Sequence, residues 1–300
     1  MPKNLGFNRL KIGELPDIKI VSLSELCFHE DPDEERLLNL VNRLGAEGAL
    51  KNPPIVTDPG SGKRLVILDG ANRVSALIKL GYRHIPAQVV ALDDPLLTVR
   101  CWHHAVEKLG KEYFMEKLSA MADVKIVEGF PVSNNDGNDG QEPAGSNPGS
   151  ADRHDGYICS LTFEDDTAVS VFNGGRLLEQ VEKLCGITDL YLHTSYSDRV
   201  SYTKLASLKH NYPDFRTLLT FRPFNKHELL EVVLSGKKLP AGITRVLLPK
   251  RALGLNISLE LLKSSLTLEE KNHRLAEIID ELVANKSIRF YQEPTFVFDE

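Results

Sequence analysis

Basic residues are not in excess in this chain. Lysines and arginines number 36 against 42 aspartates and glutamates, giving a net charge of −6 and a pI near 5.9. Phosphate-rich polymers are held by concentrated positive surface, so nucleic-acid binding is disfavoured as the main role and DNA stays the weaker candidate partner. Cysteines are few and scattered. The four, Cys27, Cys101, Cys159 and Cys185, form no CxxC pair and no cluster with histidines at zinc spacing. They read as reduced, mostly buried thiols of a cytosolic protein. No stretch approaches the roughly 18 apolar residues of a membrane span, and Met1–Gly6 carry no apolar leader segment. A soluble, cytoplasmic protein with no membrane partner is expected.

What is present is an ordinary globular composition, 42% hydrophobic and 26% charged over 300 residues, enough for one large core or two modest ones. Ile18–Leu23 is rich in β-branched residues and predicts a strand; Pro32 and the acids after it predict a helix over 33–44, ended by Gly45 and Gly48. Short strands are expected at 54–57 and 64–68 around the turn Asp58–Gly62, then a helix over 74–80 stopped by Gly81, and strands at 84–92 and 98–102. A helix is expected over 112–121. Residues 133–155 hold almost no apolar side chain and read as a mobile polar loop. Beyond it the pattern predicts a hairpin at 157–172, helices at 176–184, 226–234 and 268–284, and strands at 190–193, 218–221, 243–248 and 288–298. The fold class is therefore α/β (α+β): an N-terminal module over 1–107, a helical connection over 108–132, the polar loop, and a second mixed domain over 156–300.

Among candidate site residues, Asp69-Gly70-Ala71-Asn72-Arg73 stands out, because an apolar strand ends in Asp-Gly and turns straight into a helix. The first amides of a helix lack internal partners and carry the positive end of its dipole, so an anion fits there. Gly70 would let a ligand approach the backbone, Arg73 would fork onto phosphate oxygens, and Asp69 would hold a magnesium ion bridging phosphates. On spacing alone the plainer reading is Asp69 as a helix cap and Arg73 paired with a surface carboxylate. His29-Glu30 follows the first strand; Glu30 is a candidate general base, set among acids that also read as a solvated loop. Trp102, the only tryptophan, is either core or the wall of a pocket, and the His103-His104 pair beside it is too little for a metal site. Thr244 and Arg245 together suit a carboxylate or a phosphate.

In order and spacing these segments resemble the free-serine kinases of the ParB/sulfiredoxin superfamily, including a branch that supplies O-phosphoserine to siderophore synthesis. The segments that carry the likeness are Leu26–Glu30, Asp69–Arg73, Cys101–His104, Pro240–Arg245 and Leu253–Ile257. The resemblance implies phosphoryl transfer from ATP or ADP, with Mg2+, to the hydroxyl of free L-serine. It makes Glu30 the base and puts Asp69 at the phosphates and the metal. Gly70, Ala71, Asn72 and Arg73 become the nucleotide cradle, and Trp102, Thr244 and Arg245 the serine site. Archaeal members carry histidines where this chain has Ala71 and Asn72, and a lysine at Gly242, which leaves both donors in play. Ala71 in place of a cysteine excludes sulfiredoxin chemistry. The rival readings are a ParB-like ligand-sensing DNA-binding regulator and a ParB-like nuclease; residues 133–172 do not look like a helix-turn-helix.

Overall fold

A computed structural model of the chain describes residues 15–60, 62, 64–129 and 156–291. The expected polar loop at 133–155 lies outside the described residues. In chain order the elements are β1 (Asp17–Ser22), β2 (Leu26–Phe28), α1 (Glu34–Glu47), β3 (Ala49–Leu50), β4 (Ile55–Thr57), β5 (Leu65–Asp69), α2 (Ala71–Lys79), β6 (His84–Val90), β7 (Thr98–Cys101) and β8 (His103–Glu107). There follow α3 (Lys111–Ser119), β9 (Lys125–Glu128), β10 (Tyr157–Phe163), β11 (Ala168–Phe172), α4 (Leu177–Leu192), β12 (Ser197–Val200), α5 (Leu205–Asn211) and β13 (Phe215–Phe221). The last are α6 (Lys226–Leu234), β14 (Thr244–Leu247), β15 (Ile257–Ser258), α7 (Leu259–Lys263) and α8 (Leu268–Ala284).

Local chemistry explains most of these boundaries. Asp33 caps α1 by accepting from the Arg36 amide, and α1 ends at Gly48, whose φ of 65° is left-handed. Gly45 does not stop the helix as expected; one helical glycine costs only about 1 kcal/mol. Asn225 and Glu228 form a capping box on α6, and Thr267 and Glu270 another on α8. The second correction concerns residues 190–193, which form the end of α4 and its C-cap, His193, and no strand. Leu184, Ile187 and Tyr191 all point into one core at helical spacing, and a short apolar run does not by itself separate strand from helix. Residues 288–291 form no strand either, and the rest of that expected strand lies outside the described residues.

Two sheets result. The first has the order β1-β6-β4-β5-β2, and the second β12-β8-β13-β10-β11-β9. A two-stranded ribbon, β7 with β14, lies between them. Its Val246 packs with Val233 of α6, Leu97, and Ile55, Val66 and Leu68 of the first sheet, while Val99 of β7 also packs against the core of the second sheet. The other face of the first sheet packs on α1 and α2, and also on Ile257, Leu259, Leu262 and Leu275. Residues 257–284, expected to go with the second half, thus return to the first. Asn272 of α8 seals the edge strand β1 with a bond in each direction to the Ile20 backbone, both 2.8 Å.

Candidate active site

Strands β2 and β5 are parallel neighbours, with Phe28 opposite Ile67. Two residues further along each lie Glu30 and Asp69, so both carboxylates leave the sheet at the same edge, the carboxyl ends of the strands. Open α/β sheets offer ligand sites at such edges. Asn72 Oδ1 accepts from the Asp33 amide at 2.8 Å, tying the loop after β2 to the start of α2. Leu239 clamps the same loop from the other side, donating to the His29 carbonyl at 2.8 Å and accepting from the Asp31 amide at 3.0 Å.

Gly70 precedes α2 with φ 94°. A Cβ there would lie 2.8 Å from Pro54 Cβ and 2.9 Å from Arg73 Nε, so conformation and packing both demand glycine. Arg73 is occupied by the protein itself. Its guanidinium donates to the Asn52 carbonyl at 3.2 Å, to the Pro53 carbonyl at 3.5 Å and to Asp69 Oδ2 at 3.2 Å. The plainer reading of Arg73 as an ion-paired residue describes what is seen, with Asp69 as its partner. Asp69 is not a cap: the N-cap is Gly70, with no side-chain bond. Arg251, missed from the sequence, also pairs with Asp69 Oδ2 and donates to the Val246 carbonyl. Burial would raise the Asp69 pKa, but Arg73 and Arg251 outweigh it and hold the carboxyl below its ordinary value.

That arrangement bears on magnesium. One Asp69 oxygen is taken by two guanidinium groups, and no group of three His, Cys, Asp or Glu ligands occurs among the described residues. Asp69 does not fit a resident metal site. Magnesium bound largely by substrate phosphates needs no such cage.

The second wall comes from the β7–β14 ribbon and β12. Trp102 is fixed by its amide on the Ile243 carbonyl, and Arg245 stacks over its ring, 4.7 Å from the centroid. The Thr244 hydroxyl bonds Glu30 Oε2 at 2.9 Å and His29 Nε2 at 2.6 Å, and His29 Nδ1 reaches the Ile67 carbonyl at 2.5 Å. Thr244, expected on the serine carboxylate or the transferred phosphate, is here bonded to the base candidate. His104 is buried; it donates to the Gly242 carbonyl at 3.0 Å and accepts from Tyr191 at 2.5 Å, which pins the 240–244 turn. Burial pushes the His104 pKa down to about 4, partly offset by the bond to Gly242. Burial, then Arg245, pushes His103 to about 4 as well; its Nδ1 is buried without a hydrogen-bond partner among the described residues. Neither histidine is arranged as a metal ligand.

Arg199 was also missed. It stands on β12 opposite His104, pairs with Asp33 at 3.5 Å and feels the Glu30 carboxylate. A Cβ at Gly242, where φ is 76°, would run into its guanidinium. Nothing near Arg199 in sequence signalled this role; only the β12–β8 register carries it to the site.

No protein-family profile matches the chain. Over 88 residues it is 33% identical to the ATP-dependent L-serine kinase of Staphylothermus marinus, which is 29% of this chain and about a third (34%) of that protein. Over 293 residues it is 22% identical to the ATP-dependent L-serine kinase SbnI of Staphylococcus aureus, covering 94% of this chain and 97% of SbnI. The solved C-terminally truncated SbnI superposes with a TM-score of 0.64 at 19% identity, covering 90% of this chain and 97% of that one. A free serine kinase in complex with AMP gives 0.61 at 18%, covering 82% and 94%. It has also been solved as variants of one glutamate, with AMP and with ADP. This chain therefore has the α/β fold of SbnI and of the free serine kinase.

Proposed function

We propose that this protein is a kinase that transfers a phosphoryl group from ATP to the hydroxyl of free L-serine, giving O-phospho-L-serine. The observation that carries the reading is the parallel pairing of β2 and β5, which puts Glu30 and the start of α2 on one edge. The names of the relatives, both ATP-dependent L-serine kinases, support it.

Phosphoryl transfer asks mainly for positioning and charge neutralisation. In this reading Glu30 takes the serine proton. The amides of Gly70, Ala71 and Asn72, at the positive end of α2, receive the phosphates. Asp69 acts with Arg73 and Arg251 as a charged brace that holds this turn open. Arg245, flattened on Trp102, meets the serine carboxylate, and Arg199 adds a second positive charge beside Glu30. Magnesium enters with the nucleotide as part of the substrate. A cytoplasmic setting, where nucleotide and free serine are plentiful, suits this chemistry.

Incubating the chain with Mg2+, ATP or ADP, and a panel of hydroxy amino acids, followed by phosphorus NMR, tests the reading. The expected product is phosphoserine, made faster with ATP than with ADP. A chain that binds nucleotide but phosphorylates no amino acid would remove the assignment.

A further inference from the structure

Glu30 does not stand alone. His29 is 1% exposed and Glu30 16%, and a chain of three short contacts runs from the Ile67 carbonyl through His29 and the Thr244 hydroxyl to Glu30. Counting hydrogens restricts what this unit can be. The Ile67 carbonyl only accepts, so Nδ1 carries a hydrogen. The carboxylate also only accepts, so Thr244 gives its one hydrogen to Glu30. The Thr244 oxygen must then receive a hydrogen from His29 Nε2. Both contacts are satisfied together only when the unit holds one proton more than a neutral imidazole and a carboxylate would. That proton sits either on Nε2 or on Glu30, and shifting the hydroxyl hydrogen interconverts the two.

We propose that His29 and Thr244 are positioning residues that store and return the proton Glu30 handles; this rests on the kinase reading above. Transfer from ATP to an alcohol forms the new O–P bond, breaks the bond to the leaving diphosphate and releases one proton per turnover. Turnover starts from the form without that extra proton, in which His29 is neutral with Nε2 bare and Thr244 has a hydrogen for only one of its two contacts. The serine O–H bond breaks as Glu30 gains the proton. Rotation of the Glu30 carboxyl group turns the new O–H from the Oε1 position towards Thr244, whose oxygen takes the proton while Thr244 passes its own hydrogen to Nε2. The end state is an imidazolium 3.8 Å from a restored carboxylate. The proton leaves to solvent with the products.

The charges facing the unit come from several elements. They are Arg199 from β12, Asp33 from the head of α1, Asp31 with its partner Lys238, Arg245 beside Thr244 on β14, and Asp69 with its two arginines beyond Ile67 on β5. Among the described residues, only Ile67 and Thr244 bond the His29 ring.

The test is the pH dependence of kcat for phosphoserine formation by the full chain and by Thr244→Ser and Thr244→Val, with serine KM and nucleotide affinity measured alongside. Thr244→Ser keeps the hydroxyl and is expected within about threefold of the parent, with the same pH profile. Thr244→Val keeps the β-branched shape and loses the relay. Its kcat is expected to fall about 10- to 100-fold, within the range of proton-transfer catalysis, with binding unchanged and the profile displaced along the pH axis. A Val variant with parental kcat and profile, or a Ser variant as impaired as Val, overturns the relay. A parent that makes no phosphoserine overturns the kinase reading. In that case nitrogen-15 NMR of the His29 ring still decides the hydrogen count. Its Nε2 signal should change in Thr244→Val and not in Thr244→Ser, and an unchanged signal in both refutes the shared proton.

Discussion

Glu30 shows how little of a carboxylate's role is local. Its neighbours Asp31, Asp33, Glu34 and Glu35 make the segment look like a solvated acidic loop. In the fold Asp31 is drawn to Lys238, Asp33 caps α1, and Glu30 turns inward to Thr244. Among the described residues only its Oε2 is engaged, which leaves Oε1 for a substrate hydroxyl. Replacing Glu30 with Gln keeps the shape and removes the base. Turnover is expected to fall about 10²- to 10⁴-fold, while nucleotide affinity by calorimetry stays unchanged. Full activity in that variant would show that the proton goes elsewhere.

The β5–α2 turn is where an element makes the site. Strand, left-handed glycine and helix follow without a spare residue, so the helix amides open at the sheet edge. The Asp69 brace lies beneath. Gly70→Ala would force a methyl group against Pro54 and Arg73 at a positive φ. A loss of about 1–3 kcal/mol of stability in urea unfolding is expected, together with weaker nucleotide binding as the brace shifts. The segment was legible because Asp-Gly between an apolar strand and an apolar-faced helix is a strong local signal. Which way Arg73 points was not, since its partners Asn52 and Pro53 are about 20 residues away.

Across the whole molecule, the second sheet is locked to α4 and to the turn before β14 through a group that stability requires to be neutral. His104 ties β8 to α4 and to the 240–244 turn. Burial lowers its pKa, and that of His103, to about 4, against about 6.5 in an unfolded chain. The unfolded state thus takes protons first, and stability is full above about pH 6.5 and declines as pH falls toward 4. The decline is on the order of 2 kcal/mol for His104 at pH 5. Calorimetry should show a lower Tm at pH 5 than at pH 7, and His104→Gln should flatten that difference. An equal pH slope in the variant would mean that other groups carry it.

The linear chain by itself determined the mixed α/β class, helices such as α6 and α8 with their caps, and the strand-to-helix turn at Asp69–Arg73. These depend on periodicity and on residues within a turn or two of one another. Tertiary structure alone decided that 257–284 fold back onto the first sheet, that Arg199 and Arg251 join the site, and that Thr244 serves Glu30. Each of those contacts closes a loop of more than 160 residues. No local propensity encodes such a meeting; it follows from which apolar faces bury one another when the sheets and the β7–β14 ribbon pack.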